Sequence, residues 1–77
     1  MNQLVKQFLE DRGLYDCTLE WITEGWGLPE DSITGPMMAA ALFNAANNAE
    51  DPYGIIHLTD AGFGVLEMCG HIDPVRR

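Results

Sequence analysis

Ser32-Ile33-Thr34-Gly35-Pro36-Met37-Met38-Ala39-Ala40-Ala41-Leu42-Phe43-Asn44-Ala45-Ala46-Asn47-Asn48-Ala49 is a run of 18 residues without one ionisable side chain. Pro36 suits a first helical position, because its missing N–H would be unpaired there anyway, with Thr34 or Gly35 as cap. Alanine has the best helix propensity, so a helix over Pro36–Asn48 is the most secure element of the chain. A helix with one wet side normally carries charge there. This one offers only Asn44, Asn47 and Asn48, all near its end. Two readings follow. The helix is a central core element wrapped by the others, or one of its sides is an interface at which small alanines permit close approach and Met37 and Met38 adapt to a partner. A second copy of the same chain would satisfy both.

Towards the N-terminus, Leu4, Val5, Phe8 and Leu9 share one helical face, which predicts a helix over Asn2–Arg12 with Gly13 as its stop. A second helix is expected over Asp16–Glu24, with Asp16 as N-cap. Leu19, Ile22 and Trp26 form one stripe on it, and Cys17 and Trp21 a neighbouring one. Gly25, Gly27 and Pro29 then open a loop through Glu30, Asp31 and Ser32.

Towards the C-terminus, Glu50-Asp51-Pro52-Tyr53-Gly54 reads as a turn. The β-branched run Ile55-Ile56-His57-Leu58-Thr59 predicts a short strand that must find a pairing partner, in this chain or in a second copy. Thr59 or Asp60 would cap a last helix running through Cys69, where Phe63, Leu66 and Cys69 recur and Val65, Met68 and Ile72 lie beside them. Gly62 and Gly64 weaken that helix by about 1 kcal/mol each relative to alanine, which points to a close neighbour. Gly70 suits the residue after the helix end, and Pro74 bars continuation. With no repeat and no linker, residues 1–77 form one domain. The expected architecture is mainly α: a compact three- to four-helix domain with one short strand or hairpin.

Charge narrows the function. Twelve Asp and Glu stand against Lys6, Arg12, Arg76 and Arg77, for a net charge of −8. Direct nucleic-acid binding is disfavoured, because phosphate contacts require lysine and arginine to displace counterions. A protein partner with a basic surface fits this balance. Met1–Arg12 has no continuous apolar core of a signal peptide, and no apolar run is long enough to span a bilayer. The two cysteines make no disulfide framework, so a reduced cytoplasmic protein is expected.

The candidate contact residues come from an acidic row. Asp16, Glu20 and Glu24 are spaced four apart on one helical face, about 6 Å along the axis. Like charges at that spacing repel by a few tenths of a kcal/mol each. Glu10 and Asp11 would lengthen the patch, and so would Glu30 and Asp31. It is an ordinary solvated face, or it docks in a basic groove in place of phosphates. The apolar candidates for the same contact are Trp26, Met37 and Met38. No metal, cofactor or catalysis is expected. Cys17, His57, Cys69 and His71 lack a tight ligand pair, Gly62-Phe63-Gly64 is no phosphate loop, and so small a domain has little room for a pocket.

Ile55 to Leu66, with Leu58-Thr59-x-x-Gly62 at its centre, resembles the wing-to-helix passage of bacterial winged-helix regulators. Leu19–Leu28 and Ile33–Phe43 would then be the two helices of a helix-turn-helix. That resemblance implies a DNA-binding regulator, dimeric, with Lys6, Arg12, Arg76 and Arg77 on phosphates. The would-be recognition helix carries no positive charge, however, which turns the implication towards protein binding. In length and charge only, the chain is similar to small acidic phage inhibitors such as anti-CRISPR and anti-restriction proteins. The leading expectation is a phage-encoded inhibitor that blocks a host nucleic-acid-handling complex. The alternatives are the winged-helix regulator and a structural subunit of a homo-oligomer.

Overall fold

A computed structural model describes residues 3–70, so His71, Ile72, Pro74, Arg76 and Arg77, invoked above, lie outside the described residues. Four helices follow one another: α1 (Gln3–Asp11), α2 (Tyr15–Gly25), α3 (Gly35–Asn48) and α4 (Pro52–Met68), with a single 3-10 turn at Glu30–Ser32 between α2 and α3. The described residues contain no strand.

The first two helices meet through a tight hairpin. Gly13 has φ +69°, a left-handed conformation that L side chains rarely adopt. The Leu14 N–H bonds back to the Leu9 carbonyl at 2.8 Å and the Gly13 N–H to the Glu10 carbonyl at 3.0 Å. This is the paired closure of a Schellman motif, and its usual apolar contact joins buried Leu9 to buried Leu14. Gly70, φ +73°, ends α4 in the same conformation, as the sequence predicts. The longer connection from α2 to α3 is pinned to the core by buried Ile33.

The expected strand at Ile55–Thr59 is instead the first half of α4, so the described residues contain no wing strand of the kind that the winged-helix resemblance implies. The stretch that reads as a turn is the helix start. Asp51 is extended, as a residue before proline tends to be. Its carboxylate accepts the Gly54 N–H at 2.9 Å, and Pro52 takes the first helical position. Once the helix is nucleated, packing against α3 outweighs the β preference of Ile55, Ile56 and Thr59.

Among the described residues, the seam between α3 and α4 is the most extensive. Leu42, Ala39 and Met38 of α3 meet Ala61 and Val65 of α4 in a core completed by Val5, Leu9 and Ile22. The glycines of α4 do have the close neighbours that their cost implies. A Cβ on Gly62 would lie 2.8 Å from the Phe43 ring, and one on Gly64 would run into the Phe8 ring. Phe43 also meets Phe63 edge-on, with ring centroids 5.1 Å apart. No helix of the described residues is long and apolar enough to cross a membrane.

Candidate functional site

The helix α2 buries Thr18 and Ile22, which leaves Cys17, Glu20, Trp21 and Glu24 on a neighbouring stripe at helical spacing. That stripe does not close against α3. It forms one wall of an open groove of about 870 Å³, extended by Gly25 and Trp26. The other wall is α3, which contributes Ala41, Asn44, Ala45 and Asn48 and, just beyond its end, Ala49. Small side chains on α3 keep the floor low. Trp21 and Trp26 remain 39% and 45% exposed there.

The electrostatics of the groove are uniformly negative. Glu20 and Glu24 lie one turn apart. A side-chain hydrogen bond to Glu20, then its negative charge, raise the Glu24 carboxyl above the ordinary glutamate range, with a further push from desolvation. Gly25, the last residue of α2, and Asn48, the last of α3, line the groove as well. Neither helix has a basic residue in its last turn. The cations of the described residues are engaged elsewhere. Lys6 lies over the Tyr15 ring, 5.6 Å from its centroid. Arg12 lies 3.7 Å from the centroid of Phe8 and donates to the Phe8 carbonyl.

The expected contact residues divide. Glu20, Glu24 and Trp26 come together in the groove. Asp16 is exposed on α2 and does not line it. Glu30 and Asp31 border a separate hollow of about 390 Å³ with Tyr15 and Leu19. Met37 is half-buried against the core. Met38 is fully buried, so it cannot serve as a contact residue: it fills the space under α4. Adjacent helical residues point about 100° apart, so these two methionines do not form one patch. Trp21, Asn44 and Asn48 are groove residues that the sequence reading passes over. The spacing Cys17, Glu20, Trp21, Glu24 is the signal that would have found Trp21. Asn44 and Asn48 become visible only once α3 is set beside α2.

Among the described residues, no group of three or more His, Cys, Asp or Glu side chains is placed to hold a metal ion. Cys17 and Cys69 are both free thiols. The Cys17 Sγ donates to the Leu14 carbonyl at 3.6 Å, and Cys69 packs against Gly35 at the start of α3. Comparison with protein-family models, curated proteins and solved structures gives no match.

Proposed function

We propose that this protein is an acidic protein-binding module that docks on a basic surface of its partner through the α2–α3 groove. The observation that carries this reading is the convergence of Glu20 and Glu24 with the exposed indoles of Trp21 and Trp26. Exposed tryptophan beside carboxylate is useful for binding, since tryptophan is enriched among residues that dominate interface energy. A basic surface that handles nucleic acid is the natural target, with carboxylates standing where phosphates would. Covering that surface would make the protein an inhibitor, acting in the cytoplasm of a phage-infected host.

The test is affinity capture from nuclease-treated host lysate with two baits, wild type and Glu20→Lys/Glu24→Lys. A protein enriched on the first and lost from the second supports the reading, as does association that slows with rising salt. Equal capture by both baits, or a gel shift of duplex DNA by the purified protein, contradicts it. A second reading draws on the outer face of α4, where Tyr53 is 75% and Ile56 61% exposed, with Ile55 and Phe63 nearby. That face would serve a structural subunit that pairs with a second copy, and sedimentation across a dilution series would reveal the dimer.

A further inference from the structure

We propose that the α2–α3 groove receives an arginine side chain carried on an amphipathic helix of the protein partner. This deepens the reading of the chain as a protein-binding module and rests on it.

Charge complementarity defines the group. Two glutamates a turn apart line the groove, and none of its lining residues is cationic. The described cations, Lys6 and Arg12, are already placed over aromatic rings elsewhere. The groove therefore lacks a counter-charge of its own, and a partner can supply it. The aromatic lining then selects between cations. A guanidinium is planar and weakly hydrated, so it stacks on an indole face and still presents its N–H edge to a carboxylate. A lysine ammonium is a strongly hydrated point charge and gains less from the same surroundings. With Glu20, Glu24, Trp21 and Trp26 on one wall, one arginine can meet both kinds of group.

Shape defines the carrier. The floor on the α3 side is Ala41 and Ala45, which let a backbone approach closely. A groove between two helices suits a third helix laid along it, with small apolar residues down and charge at the rim. Asn44 and Asn48 edge the far wall, where Asn48 Nδ2 donates to the Asn44 carbonyl at 2.9 Å and leaves its own amide oxygen to accept from a bound helix.

The chain reports on its own groove, because its two tryptophans both line it. The probe is a short capped helical peptide of alanine and leucine with arginines spaced four apart, titrated at low ionic strength into the full chain while tryptophan emission is followed. Its companion carries citrulline, a neutral side chain of the same shape, at each arginine. The arginine peptide should saturate the emission change. The citrulline peptide, and the arginine peptide on Glu20→Gln/Glu24→Gln, should each bind at least about tenfold more weakly. Glu30→Gln/Asp31→Asn, outside the groove, should bind as the wild type does, and circular dichroism confirms that each variant is folded. Equal binding of the two peptides, equal binding by Glu20→Gln/Glu24→Gln, or no saturation by the arginine peptide overturns the proposal. If lysate capture still depends on Glu20 and Glu24 while the arginine peptide fails, the arginine helix is wrong and protein binding stands.

Discussion

The helix α3 has two seams, and they are built to different standards. Towards α4 the fit is closed: Gly35 leaves room for Cys69, Gly62 leaves room for Phe43, and Met38, Ala39 and Leu42 are dry. Towards α2 the fit opens over the C-terminal halves of both helices, and tryptophan and glutamate line the gap. One uncharged stretch serves both seams. The core reading holds for the α4 side of this helix, and the interface reading is our proposal for its α2 side. Absence of charge says only that an element avoids salt-bridged water-facing positions, and it does not say what covers each side.

The difference between the seams can be broken at the closed one first. Leu42→Ala removes a fully buried side chain and should cost about 2–5 kcal/mol. A domain of this size has a margin of about 4–12 kcal/mol, so chemical denaturation should show a large loss of stability, and near-complete unfolding is within range. Peptide affinity per folded molecule should stay unchanged. The open seam should behave in the opposite way. Trp21→Ala/Trp26→Ala should leave the protein folded at a cost of about 1–3 kcal/mol, since the two residues are 39% and 45% exposed and only part of each ring is covered. Partner or peptide affinity should fall by about tenfold or more. If the tryptophan pair instead unfolds the protein, the groove is part of the core and the contrast collapses.

A smaller effect tests how dry α2 is where it meets the core. Thr18 is fully buried, and its Oγ1 finds no hydrogen-bond partner among the described residues. Such a hydroxyl has been stripped of water without compensation. Thr18→Val should therefore stabilise by about 1 kcal/mol, a rise of about 4–8 °C in melting temperature for a domain this small. A lowered melting temperature would mean that the hydroxyl is satisfied after all.

The smallest effect is electrostatic and depends on pH. In the folded protein Glu24 holds its proton more tightly than in the unfolded chain, because Glu20 accepts from it and repels its charge. The linked stability is fully present below the ordinary glutamate pKa and is lost as pH rises through the raised folded value. Glu24→Gln has no proton to lose. It should melt slightly higher than wild type at neutral pH, and the gap should close on acidification below the ordinary glutamate range. A gap that widens on acidification would show that Glu24 gains, not loses, by being charged in the fold.

Much of the fold was legible in the sequence. Apolar periodicity and the glycine stops place α1, α2 and α3 within a residue or two of their ends, and the pair Gly62 and Gly64 announces the close packing of α4 against Phe43 and Phe8. The first half of α4 was not legible as helix. Ile55, Ile56 and Thr59 favour strand locally, and Asp51-Pro52 serves equally as turn or as helix start until α3 is there to pack against. The site was half legible. Acid spacing finds Glu20 and Glu24, and position finds Trp26. Asn44, Asn48 and the alanine floor belong to a second helix whose register against α2 no local pattern encodes. Met38 was misassigned for the same reason: only the placement of α4 decides which methionine is covered.

The central claim is that the α2–α3 groove is the working surface of this protein, and the two indole N–H signals of Trp21 and Trp26 test it directly. In a nitrogen–proton correlation spectrum recorded while the arginine peptide is added, both indole signals should move and saturate together, with the amides of Ala41, Asn44 and Ala45 shifting alongside. Stationary indole signals, with shifts confined to α4 around Tyr53 and Ile56, would contradict the claim and move the binding surface to α4.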